Sequence, residues 1–169
     1  DDSTNPTHWQ VGANWSTGVV PSGSSDIHIP DTSSIPNPVL DQSRSANSLR
    51  IDANGTIVGG GFTLNIDSEG DGTTGDNEDY AVRNNGIISG VLDLNITTPA
   101  PTKLDLNGSS GNFRNVTINH ASCVATLQTT TEISGNLAIT LGELNTHALG
   151  QQLTVTGTTT VSNGTLTLN

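Results

Sequence analysis

The stretch Gly135-Asn136-Leu137-Ala138-Ile139-Thr140-Leu141-Gly142-Glu143-Leu144-Asn145-Thr146 continues past Gly150 into Gln152-Leu153-Thr154-Val155-Thr156-Gly157. It then runs on through Thr158-Thr159-Thr160-Val161 and Gly164 to Thr165-Leu166-Thr167-Leu168. Glycine recurs every seven or eight positions, at 135, 142, 150, 157 and 164, and apolar residues between the glycines stand two apart. A period of two sends Leu, Ile and Val to one face of an extended strand and Thr and Asn to the other, while glycine at each break permits a tight corner. Strands this short cannot bury an apolar face alone. Repeated at a near-constant interval with no helical pattern between them, they predict a solenoid, in which successive coils stack and share one thin core. Leu137, Ile139, Leu153, Val155, Leu166 and Leu168 are the residues expected to point inward.

Working outward, composition agrees with that reading. A hydrophobic fraction of 31% and an aromatic fraction of 3% over 169 residues are too lean for a compact globule built on large side chains. They suffice for coils that each bury a few aliphatic residues. The strand periodicity extends from Ile27 to Leu168, which separates the chain from disordered sequences of similar polarity. The fold class expected is all-β: a right-handed parallel β-helix over residues 25–169, with residues 1–24 as an N-terminal aromatic cap. Both tryptophans, Trp9 and Trp15, fall in that first segment, where large rings could cover the open end of a first coil. A sugar-stacking platform built on the same two rings is the alternative. At the other end, Thr165-Leu166-Thr167-Leu168-Asn169 stops in mid-pattern, so the solenoid is expected to continue in a longer chain or to be covered by a partner.

Residues 67–79 break the rhythm with six carboxylates, three glycines and no apolar side chain, and read as an insertion between coils. The alternation of Asp67, Glu69 and Asp71, with Asp76 following, resembles the alternate oxygen ligands of calcium loops and nominates these four residues as calcium ligands. No helices flank the run and the final acidic position is displaced, so a solvated insertion is the competing reading. His8, His28, His120 and His147 lack the spacing of a zinc site.

Sixteen acidic against five basic residues give a formal net charge of −11, which argues against nucleic acid as a partner, because a duplex rewards clustered Lys and Arg. No segment is long and apolar enough to be a membrane span. The single Cys123 has no internal disulfide partner and reads as a small core residue. Thr-x-Thr pairs at 154/156, 158/160 and 165/167 resemble water-ordering arrays, but their intervals are too uneven to share one face. Six Asn-x-Ser/Thr sequons, beginning at Asn14, Asn54, Asn95, Asn107, Asn115 and Asn163, arise readily in an Asn- and Thr-rich chain.

The opening Asn14-Trp15-Ser16-Thr17-Gly18-Val19-Val20-Pro21, leading into Asp26-Ile27-His28-Ile29-Pro30, resembles the start of secreted β-solenoid regions in large surface proteins of Bacteroidota and related bacteria. Phe113-Arg114-Asn115-Val116-Thr117-Ile118, Ile133-Ser134-Gly135-Asn136-Leu137, Gly142-Glu143-Leu144-Asn145 and Gly157-Thr158 are similar to their repeating body. The resemblance covers most of the chain. It implies a parallel β-helix, a place at the cell surface or outside the cell, export by the type IX secretion system, and a structural and adhesive role without enzymatic activity. Partners would be other parts of the same longer chain or a secretion or surface complex, with glycans as possible ligands.

Parallel β-helices also host polysaccharide lyases and hydrolases, so a module that binds or cleaves polysaccharide is the rival reading. Its candidate residues are Asp93, Asp105, Arg83, Arg114, His120 and His147. Asp93 and Asp105 each lie between two leucines and are expected to face outward, where they could stack on adjacent coils as a carboxylate pair suited to general acid and base work. Solvated strand faces are the simpler explanation, and no catalytic residue is assigned.

Overall fold

A computed structural model describes residues 8–31, 37–67, 80–146 and 150–169. Its described residues form twelve strands, one short 3-10 turn at Gly12–Asn14 and no α-helix. Every named strand pair is parallel, and the arrangement is a β-solenoid of about six turns.

The strands stack in three rows. The first contains β1 (Asp26–Ile29), β3 (Ser48–Ile51), β5 (Tyr80–Asn84) and β7 (Pro101–Asp105), followed by the second halves of β8 (Val116–Leu127), β10 (Leu137–Thr146) and β12 (Thr159–Thr167). The second row contains β2 (Arg44–Ala46), the latter parts of β4 (Thr56–Ile66) and β6 (Ile87–Ile96), and the first halves of β8, β10 and β12. The third row runs from bridges at His8, Val39 and Val58 through the early parts of β4 and β6 to β9 (Thr131–Ile133) and β11 (Leu153–Val155).

Register explains the glycine rhythm. Leu137 pairs with Thr159 and Leu94 with Val116, offsets of 22 residues, so three glycine intervals make one coil and each interval one side of it. Between Leu64 and Leu94 the offset widens to 30. The glycines do not each end a strand, as the sequence suggested. Gly142 and Gly164 lie inside β10 and β12 and pair with each other, because a solenoid corner can be turned by one residue without losing its parallel neighbours. Gly142 takes φ 81°, a conformation costly for any residue with a Cβ. At Gly157 the constraint is proximity instead, since an added Cβ would sit 2.7 Å from the Gly135 carbonyl oxygen.

The inward column of the second row is Ala46, Ile66, Ile96, Ile118 and Ile139, all fully buried, and then Val161, which is 44% exposed. Such columns are what period-two strands produce when coils stack in register. Of the six residues expected inward, Leu137 and Ile139 are fully buried, while Leu153, Val155 and Leu166 are partly buried against the core. Leu168 is 69% exposed, which corrects the expectation for that residue. It lies one residue beyond β12, past the last register pair, so nothing in the described ladder covers it.

Residues 8–24 are joined to the solenoid by strand-type bonding. The Trp9 amide donates to the Val39 carbonyl at 2.9 Å, and His8 bridges Val39 in parallel. Trp9 is fully buried, and the Trp15 ring meets it edge-on with centroids 4.7 Å apart.

Candidate functional site

The outward side of the first row collects most of the chain's cations. His28, Arg50 and Arg83 are register partners on β1, β3 and β5, and Lys103 on β7 is the register partner of Tyr80 on β5. Strand alternation puts Ile27, Leu49, Val82 and Leu104 into the core, and His28, Arg50, Arg83 and Lys103 beside them reach the surface. Asp52, just past β3, takes the Arg50 Nε at 2.8 Å on one oxygen and meets the His28 Nε2 at 2.7 Å on the other. Burial works to raise the Asp52 pKa, yet the hydrogen bonds from His28 and Arg50 and their charge outweigh it and leave the carboxyl below its ordinary value. The Tyr80 ring lies 5.4 Å from the Arg83 guanidinium carbon and 5.6 Å from the Lys103 ammonium, holding both cations by its π face.

Asp93 and Asp105 do not stack on one another. They are twelve residues apart, about half a coil, and therefore fall in different rows. Asp93 pairs with Thr63 in the second row, and Asp105 pairs with Arg83 in the first. Each carboxylate is bound to a neighbouring coil. Arg114 grips Asp93 with both Nε, at 2.8 Å, and Nη2, and the Asn115 side-chain amide donates at 3.0 Å. Desolvation raises the Asp93 pKa, but those bonds and the Arg114 charge hold it low, and the same pairing raises that of Arg114. Asp105 is buried and accepts from the Thr129 hydroxyl at 2.7 Å. Of the catalytic candidates the structure thus joins Asp93 to Arg114 and aligns Arg83 with Asp105. His120 accepts the Ser122 amide at 3.2 Å, and His147 lies outside the described residues.

Among the calcium candidates, Asp67 is exposed, and Glu69, Asp71 and Asp76 lie outside the described residues. Among the described residues no three His, Cys, Asp or Glu side chains gather as a metal site. Cys123 is buried in the core, and desolvation pushes its thiol pKa up to about 11, as expected for a packing residue.

The sugar-platform alternative for the tryptophans fails for Trp9, which has no exposed surface. The Trp15 indole N–H donates to the Trp9 carbonyl at 2.8 Å, so its polar edge is engaged within the fold. Trp15 does line a cavity of about 500 Å³, together with Val20, Pro21, Ile27, Ile29 and Pro38, and His28 stands on its wall.

The cation row escaped sequence analysis because its members are 20 to 33 residues apart and only register brings them together. The usable signal was scarcity: with five Lys and Arg in the chain, asking which coil position each occupies would have placed three of them on one side. No helix among the described residues is long and apolar enough to cross a membrane. Comparison with protein-family models, curated proteins and solved structures finds no match to this chain.

Proposed function

We propose that the chain is a non-enzymatic structural and adhesive segment of a large exported bacterial cell-surface protein, of the kind Bacteroidota send out by type IX secretion. The observation that carries this reading is the way polar side chains are joined from coil to coil. Asn95 donates to Asn65 at 2.8 Å, Arg114 grips Asp93, Thr129 binds Asp105, and Thr140 binds Asn119 at 2.7 Å. Bonds of that kind tie each coil to the next and favour a stiff rod, which suits a spacer that presents a surface. The resemblance of the opening and of the repeating body to secreted β-solenoids supports the cellular setting. In this reading Trp9 and Trp15 close one end of the rod, and the remaining partners are other parts of the longer protein or of a surface complex.

The test is adhesion without turnover. Beads coated with the chain should be retained under flow on surfaces bearing extracellular polysaccharides, while a reducing-sugar and unsaturated-product assay over the same polysaccharides stays at background. Product formation proportional to protein would replace this reading with the polysaccharide-cleaving one. Beads retained no better than albumin-coated controls would remove the adhesive part.

A further inference from the structure

We propose that the outward side of the first row, from His28 through Arg50 and Arg83 to Lys103, is a binding site for a linear anionic glycan lying along the solenoid axis. The proposal rests on the adhesive reading and names the ligand class that such a surface would take.

The cations of this chain are unevenly distributed. A chain of net charge −11 has five Lys and Arg residues, and three of them, with one histidine, stand on consecutive coils of a single row. The other two are committed elsewhere, Arg44 to Asp41 at 2.9 Å and Arg114 to Asp93. Adjacent strands are about 4.8 Å apart, so four coils set the His28 imidazole, Arg50, Arg83 and Lys103 along roughly 15 Å. Like charges at such spacing repel unless something offsets them. Asp52 does so beside Arg50, and Asp105 stands in register with Arg83. Lys103 makes no ion pair among the described residues and is steered by the Tyr80 face it shares with Arg83.

The shape of the row selects the partner. It is one residue wide and flanked by an acidic molecule, so a broad polyanion such as a nucleic-acid duplex or a folded acidic protein would meet repulsion on both sides. A single extended polymer can lie on the row alone, and a sugar ring is comparable in length to one strand spacing. Carboxylates or sulfates borne on successive rings would then meet successive coils. Arg83 and Lys103, 5.4 and 5.6 Å from the Tyr80 ring centre, form the strongest anion position, because two cations meet there. Arg50 and Arg83 have further partners of their own. The site does not need them free, since a guanidinium carries five donors.

The experiment measures binding of the intact chain to polygalacturonate, to its fully methyl-esterified form, and to polyglutamate at matched length, by calorimetry at low and physiological salt. Polygalacturonate should bind, weakening as salt rises. The esterified polymer should not bind, and polyglutamate should bind more weakly. Replacing both cations, Arg83→Gln with Lys103→Gln, should lower polygalacturonate affinity by about tenfold or more. Tyr80→Leu, which removes the ring, should also lose affinity with an unchanged circular dichroism melt. Equal binding of the esterified polymer, unchanged affinity in the double variant, or tighter binding of polyglutamate would each overturn the proposal. Beads carrying the double variant separate this failure from that of the adhesive reading. If the wild-type beads adhere and the variant beads adhere equally well, adhesion stands and the cation row is not its source.

Discussion

The two ends of the described solenoid use the same alternating strands and bury them very differently. Near the beginning, Ile27 and Ile29 on β1, the outermost strand of its row, and Trp9 beside the His8 bridge are still buried. In the last coil, Val161 continues the column of Ile96, Ile118 and Ile139 and is 44% exposed, and Leu166 continues from Leu144 with its burial only partial. Alternation decides which way a side chain points, and the neighbouring coil decides whether it is dry. At the tryptophan end, the Trp9 amide is bonded to the Val39 carbonyl and its ring meets that of Trp15.

The largest expected effect tests the better-covered end. Trp9→Ala should cost about 3 to 5 kcal/mol, on the scale of large aromatic truncations in a packed core. Urea unfolding followed by strand circular dichroism is the measurement. An unchanged midpoint would mean that the ring adds nothing to the first coils, and the contrast between the ends would then need another cause.

A paired substitution within one column tests the contrast directly. Ile118→Ala, with coils on both sides, should lose about 2 to 5 kcal/mol, whereas Val161→Ala should lose under about 1 kcal/mol. Because repeat proteins can unfold coil by coil, hydrogen exchange should accompany the melts, with protection falling from residues 116–146 towards 157–167. Equal losses at the two positions, or full protection at Leu166, would show that the last coil is covered by something outside the described ladder.

That contrast also marks how far the sequence could be read. The period-two pattern in Leu137-Ala138-Ile139 was legible because strand alternation is local, and so were the all-β class and the repeat. Leu168 was misjudged because it carries the same local signal as Leu166 while differing in what lies beside it. Gly142 and Gly164 looked like strand ends because a corner inside a continuous strand has the same composition as a hairpin turn. Asp93 and Asp105 looked stackable because coil length, about 22 residues, was not yet known, and half a coil moves a residue to a different side. The cation row was hidden for the same reason, since Arg50 and Arg83 are register partners at an offset of 33 rather than 22.

The smallest expected effect is acidic, and it should narrow the gap between the ends. Asp41, Asp52 and Asp93 all lie in the first hundred residues. In each, burial raises the pKa but bonding to Arg44, to His28 and Arg50, or to Arg114 and Asn115 lowers it further, to a net value below 3.8. A carboxyl whose folded pKa is depressed contributes stability that is fully present above its unfolded value, here about 3.8 to 3.9, and is lost as pH falls through the folded value. The melting temperature should therefore hold from neutrality to about pH 5 on account of these groups and fall below about pH 4. Hydrogen exchange at low pH should show coils containing residues 41–114 losing protection first, while residues 150–169, which hold no carboxylate, change least. Asn substitutions should flatten that response, Asp93→Asn most clearly, because its bidentate Arg114 bond is the strongest of the three in geometry. If acid instead loosened residues 150–169 ahead of the earlier coils, the ion pairs would not be what distinguishes the two parts of the rod, and packing alone would account for the gradient.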